Sequence, residues 1–264
     1  MTNQKILIVA NWKMHLDVQK SSLLVHRLTE RLRIHRDIEL VLAPSLLALQ
    51  PLSLQIDRRK FRLAAQNAHD KDEGAFTGEV SFAMLQDLAH YVIVGHSERR
   101  LYFHETDDDV RDKVAAALRN DIVPIVCVGE TQLERKNHET KQVLHDQLTT
   151  ALANVTSEDI DKVVIAYEPV WAISTFQGDI AKPDQVEEVI TYIRRNIYEL
   201  FGSAVSDRVR VLYGGSVDDQ TIASYLNIEG CNGALVGGAS LNYERFANLV
   251  EAAYRLQTRK KDTV

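Results

Sequence analysis

Eight short runs of apolar, largely β-branched residues recur along the chain at 5–10, 39–43, 61–65, 91–94, 123–128, 162–167, 209–213 and 233–236. Most are apolar at nearly every position. A strand with one face in water alternates polar and apolar residues; an unbroken apolar run belongs to a parallel strand covered on both faces. The longer segments between the runs read as amphipathic helices. Segment 17–33 sets Val18, Leu23, Leu24, Leu28 and Leu32 on one expected face. Segment 107–120 carries Val110, Val114, Ala117 and Leu118, with acids crowding its first turn, where the helix dipole favours them. Segment 184–201 repeats the form after Pro183. Eight such units in one chain predict an α/β fold in which eight parallel strands close into a (β/α)8 barrel. The alternative is a doubly wound open sheet, which normally carries a Gly-x-Gly-x-x-Gly turn after an early strand. This sequence has none.

The chain length of 264 residues suits one barrel domain spanning 1–264, with a polar tail from 255. The formal charge of −6 speaks against general nucleic-acid binding, which needs a basic face. The basic clusters Arg58-Arg59-Lys60, Arg99-Arg100 and Arg259-Lys260-Lys261 are short and read as solvated surface. The apolar run at the N-terminus is too short for a signal-peptide core or a membrane span. Cys127 and Cys231 lie in apolar surroundings outside any metal-ligand spacing, and read as reduced thiols of a cytoplasmic protein.

In a parallel barrel the chemistry sits at the C-terminal ends of the strands. Those ends hold few polar residues. Run one leads into Asn11-Trp12-Lys13, run four into Gly95-His96-Ser97-Glu98 and run six into Glu168. Run seven leads into Gly214-Gly215-Ser216, and run eight into Gly237-Gly238. Singly, each has a plain structural reading: a surface lysine, a helix-capping histidine, a salt-bridged glutamate. Together they share one rim. Glycine pairs after the last two strands let backbone amides approach an anion, the usual place for a phosphate in such barrels. Lys13 across the mouth fits the same ligand. Leu235 and Ile173 are expected to cover Glu168, and a carboxylate shielded from water is a stronger base. His96 opens an expected helix whose amides disfavour a charged imidazole, leaving a neutral ring able to donate to a carbonyl oxygen. With no histidine or cysteine cluster for a metal, the set points to cofactor-free proton transfer beside the carbonyl of a small phosphate ester.

Taken in order, Asn11-Trp12-Lys13-Met14, segment 74–79 (Gly-Ala-Phe-Thr-Gly-Glu), segment 95–100 (Gly-His-Ser-Glu-Arg-Arg), segment 167–173 (Tyr-Glu-Pro-Val-Trp-Ala-Ile), Tyr213-Gly214-Gly215-Ser216 and Gly237-Gly238 resemble the triosephosphate isomerase family over almost the whole chain. The resemblance implies a TIM barrel that interconverts dihydroxyacetone phosphate and D-glyceraldehyde 3-phosphate in glycolysis and gluconeogenesis, without cofactor or metal. It implies that Glu168 moves the proton between carbons, His96 serves the oxygens, and Lys13 offsets phosphate and enediolate charge. Asn11 would orient Lys13, Ser97 would hold Glu168 in the open state, Glu98 would pair with Lys13, and Glu130 would anchor Trp171. Ser174, Ser216, Gly237 and Gly238 would bind the phosphate. Segment 74–79 would be an arm that inserts into a second subunit, with Phe76 exposed and Thr77 reaching Asn11 of a homodimer.

One stretch departs from the pattern. Where the family continues Ile-Gly-Thr-Gly-Lys-Thr, this chain has Ile173-Ser174-Thr175-Phe176-Gln177-Gly178-Asp179-Ile180-Ala181-Lys182, a longer segment with serine in place of the first glycine. It is expected to close around a different tip, with Phe176 or Gln177 over the mouth. The alternatives left open are an isomerase of a four-carbon sugar phosphate on the same scaffold and a phosphate-binding barrel without turnover.

Overall fold

A computed structural model describes residues 4–33, 36–173 and 180–262. Its strands are β1 (Ile6–Asn11), β2 (Ile38–Ala43), β3 (Phe61–Ala65), β4 (Tyr91–Val94), β5 (Val123–Val128), β6 (Val164–Tyr167), β7 (Arg210–Tyr213) and β8 (Gly233–Val236). They pair in parallel in chain order and close into a barrel. β8 returns to β1 with Val9 opposite Leu235 and Ala10 opposite Val236. Closure requires glycine at 233, because a Cβ there would stand 1.8 Å from the carbonyl oxygen of Leu7. Strand six starts later than its apolar run suggests: Ile160–Lys162 forms a 3-10 turn first.

The helices are α1 (Val18–Arg31), α2 (Leu46–Gln55), α3 (Phe82–Leu85), α4 (Ser97–Phe103), α5 (Asp107–Arg119), α6 (Gln132–Lys136), α7 (Thr140–Ala151), α8 (Pro183–Phe201), α9 (Ser203–Ser206), α10 (Ile222–Leu226) and α11 (Tyr243–Asp262). Local chemistry starts several of them. The Asp17 side chain accepts from the amide of Lys20 to cap α1, and Thr106 with Asp109 forms a reciprocal capping box on α5. Pro183 opens α8. Through α11 the chain stays helical as far as Asp262, across most of the expected tail.

The unbroken apolar runs find their reason in two cores. Leu7, Val9, Val41, Ile93, Ile125 and Leu212 point into the barrel, while Ile8, Ala10, Leu40 and Val92 pack outward on the helices. The buried face of α1 is Ser21, Leu24, Val25 and Leu28, at i, i+3, i+4 and i+7. The expected stripe is corrected here: Leu23 stays 50% exposed and Val18 is exposed. Neighbouring helix residues point about 100° apart, so Leu23 and Leu24 cannot share one narrow face. On α5, Val110, Val114 and Ala117 are buried and Leu118 is half-buried. Polar residues close the N-terminal end of the barrel: Arg210 donates to Glu39 at 2.7 Å and to the Tyr91 hydroxyl at 2.8 Å, and Tyr91 donates to Glu39 at 2.8 Å. Burial pushes the Tyr91 hydroxyl up to about 12, so it remains a donor at any ordinary pH. The opposite end stays open.

Candidate active site

At that open end β1 delivers Asn11, and the next turn places Lys13 at φ +52. A lysine in the left-handed region costs roughly 1–2 kcal/mol, so its surroundings must hold it there. Two side chains do. Asn11 accepts from the Lys13 amide at 3.1 Å, and Gln66, beyond β3, donates to the carbonyls of Lys13 and Ala43, both at 2.9 Å. The Lys13 ammonium meets Glu98 on α4 at 2.6 Å.

β4 is followed by Gly95, whose φ of +69 and tight fit against Val110 both call for glycine. The turn presents His96 as the N-cap of α4. Its Nδ1 accepts from the amide of Glu98 at 3.2 Å, so the lone pair lies there and the ring proton on Nε2. The Glu98 carboxylate stays 3.7 Å from Nδ1, beyond hydrogen-bond reach. Nε2 faces Glu168 Oε1 at 3.1 Å. The capping contact thus sets the tautomer of His96.

Glu168 leaves β6 only 2% exposed. Its Oε2 accepts from the backbone amide of Ser97 at 3.1 Å; the Ser97 hydroxyl is buried and finds no hydrogen-bond partner among the described residues. Two glycines give the glutamate room. A Cβ at Gly129 would stand 1.8 Å from its carbonyl oxygen, and one at Gly214 would stand 2.8 Å from its Cγ. Gly214 thus serves the carboxylate as well as the rim. Ile173 and Leu235 form apolar walls beside it. Beneath, Cys127 faces the barrel interior. Burial, then the Glu168 charge, pushes its thiol well up, and it stays a neutral thiol.

The glycine loops after β7 and β8 face this cluster. Gly237 precedes the 3-10 turn Gly238–Leu241, and Ser240 fastens that turn through its amide and hydroxyl to the Gly237 carbonyl, at 2.9 and 2.6 Å. The first amides of such a turn have no internal acceptor. Ser216 donates its hydroxyl to the Ala172 carbonyl at 2.9 Å. Asn11, Lys13, His96, Glu168, Ser216, Gly237 and Gly238 line one cleft of about 370 Å³. Ser174 lies outside the described residues, as do Phe176 and Gln177. Among the described residues no group of His, Cys, Asp or Glu is placed to hold a metal ion.

A family model for triosephosphate isomerase matches residues 6–253. Proteins named triosephosphate isomerase from Carboxydothermus hydrogenoformans and Clostridium perfringens are each 43% identical to the chain, the first over 95% of this chain and 99% of the relative, the second over 92% and 98%. One from Chloroherpeton thalassium is 42% identical over 95% and 99%. The chain belongs to the triosephosphate isomerase family.

A second buried cluster stands behind the cleft. Glu130, fully buried, accepts from Trp171 Nε1 at 2.9 Å, from the Tyr167 hydroxyl at 3.2 Å and from Arg135 at 2.9 Å. Arg135 also lies over the Trp171 ring, 4.2 Å from its centre. Segment 74–79 is exposed throughout. Phe76 is 43% exposed and leans on His69 with ring centres 4.2 Å apart, so the ring is partly covered by its own chain; Thr77 is exposed beside it. Behind this segment, Arg119 grips Asp72 at 3.0 Å and the Asp70 carbonyl at 2.5 Å. A recess of about 390 Å³ opens on the far side of Lys13, bounded by Met14, Gln66, Glu79 and Glu98.

Gln66, Cys127 and Arg245 are not among the site residues expected from the sequence, and Ile180 enters there only as part of the altered stretch after Glu168. Gln66 lies one residue past its strand and acts through another residue's backbone, for which no motif exists. Cys127 could be found from strand parity, since it alternates inward with Ile125. Arg245 reaches the cleft from α11, which carries no strand-end signal.

Proposed function

We propose that the chain interconverts dihydroxyacetone phosphate and D-glyceraldehyde 3-phosphate. The observation that carries this reading is the 3.1 Å approach of His96 Nε2 to Glu168 on the floor of a cleft rimmed by glycine loops and Lys13. A substrate phosphate on the amides near Ser216, Gly237 and Gly238 sets its carbonyl and neighbouring carbon toward the pair. Glu168 removes a proton from that carbon, and the bonding electrons move into a carbon–carbon double bond while the carbonyl oxygen becomes an enediolate oxygen. The Nε2–H of neutral His96 donates to that oxygen, and Lys13 balances its charge. Proton exchange between the two oxygens through His96, followed by return of the proton from Glu168 to the adjacent carbon, completes the isomerisation. The family is the standard illustration of a glutamate base beside a neutral histidine. Side-by-side kinetics on three-carbon and four-carbon sugar phosphates test it: preference for the triose phosphates is expected, and preference for a four-carbon substrate overturns it.

The reading extends to assembly and location. Segment 74–79, which carries Phe76 and Thr77 just after the Asp70 and Asp72 held by Arg119, suits the recess beside Lys13 of a second copy, and the exposed Met14, Leu46 and Phe103 line that recess. This supports a homodimer in which each arm completes the other's site. A small phosphorylated sugar as substrate supports a cytoplasmic location, and no helix among the described residues is long and apolar enough to cross a membrane.

A further inference from the structure

Tyr225 on α10 belongs to no motif, yet it is buried and its hydroxyl donates to the carbonyl of Ala181 at 2.8 Å. Ala181 is wholly buried and stands at a particular place in the chain. Two residues later α8 begins at Pro183, fixed by the Lys182 amide on Gln185 at 3.0 Å. One residue earlier Ile180, 63% exposed, lines the cleft beside Glu168 and the glycine loops. Ala181 is thus where the chain joins the body of the barrel before it reaches the cleft. A buried carbonyl there needs a donor, and Tyr225 supplies it.

Tyr225 is itself held from the phosphate side. Its ring stacks on Tyr213, the last residue of β7, with centres 4.1 Å apart and planes at 22°. The short helix carrying it begins in a turn built by Asp218, which accepts from Thr221 Oγ1 at 2.8 Å and from the amides of Thr221 and Gln220 at 3.0 and 3.1 Å. Asp218 and Thr221 line the same cleft. One side chain therefore joins the strand end that bears Gly214-Gly215 to the segment that brings Ile180 into the cleft.

We propose that Tyr225 is a positioning residue for the isomerisation: its hydroxyl fixes Ala181, and so sets the apolar wall that Ile180 presents to a substrate bound on the phosphate rim. The inference rests on the reading of the cleft given above. Tyr225→Phe keeps the ring stack and removes the hydroxyl that donates to Ala181. Loss of the donor to a buried carbonyl is expected to lower kcat/KM about tenfold, mostly through KM, and to weaken 2-phosphoglycolate binding by a similar factor. Ile180→Ala should show a related loss, and adding Tyr225→Phe to it should have little further effect, since both act on one wall. A lower Tm with kcat, KM and inhibitor affinity unchanged would make Tyr225 merely structural and overturn the proposal; so would fully multiplicative losses in the double variant. Failure of the unmodified protein to isomerise triose phosphates would sink the functional reading instead, and inhibitor binding would still decide the role of Tyr225.

Discussion

Glu168 and Lys13 show how little freedom single side chains have at this site. The Glu168 carboxylate is held by an amide on one oxygen and faces an imidazole with the other. Glu168→Asp withdraws it by one methylene. Because reacting atoms must meet within a few tenths of an ångström, a shift of ~1 Å should lower kcat by about a hundredfold or more with KM little changed. Steady-state kinetics check this, and turnover near the unmodified level would remove Glu168 from the base role. Lys13 sits in a strained backbone conformation clamped by Asn11 and Gln66 and pairs with Glu98. Lys13→Met should abolish turnover and weaken 2-phosphoglycolate by orders of magnitude, while melting stays cooperative. Unaltered inhibitor affinity would contradict the role of Lys13 in binding the phosphate.

Helices α4 and α5 are tied to the β4 turn by one buried carboxylate. Glu105 accepts from the Gly95 amide at 3.2 Å and from Arg99 at 3.1 Å, and it contacts the Lys113 ammonium closely. Burial pushes its carboxyl up, but the Lys113 bond and charge, then Arg99, outweigh burial and hold it below its ordinary value of 4.5. A carboxyl lowered by folding contributes stability that is fully present above 4.5 and lost as pH falls through the folded value. Tm should therefore drop more steeply below that pH in the unmodified protein than in Glu105→Gln. At neutral pH the variant leaves Lys113 buried without its countercharge and should be less stable by about 3 kcal/mol. Thermal melts across the acid range read both effects, and equal slopes would show that Glu105 carries no linkage.

A recess lies beside Lys13, and segment 74–79 is exposed at the surface. Light scattering should find a dimer, and Phe76→Glu should shift it toward monomer with a large loss of kcat/KM. A fully active monomer at low concentration would show that the arm leaves the site unaffected.

The barrel itself was legible in the chain. A strand buried on both faces is apolar at nearly every position, and strands 61–65, 91–94, 123–128 and 233–236 coincide with their runs residue for residue. Strand ends then placed Lys13, His96, Glu168 and the glycine pairs on one rim, because parallel strands all point their C-termini the same way. Other features needed the folded chain. The tautomer of His96 depends on an amide two residues on, and Ser97 meets Glu168 through its backbone instead of its hydroxyl. Gln66 and Tyr225 act on carbonyls 53 and 44 residues away. Local pattern reports what a residue must avoid, chiefly water, and so it reveals burial and periodicity. A hydrogen bond to a distant backbone atom leaves no such trace, since any residue can offer the carbonyl and only packing decides which donor reaches it.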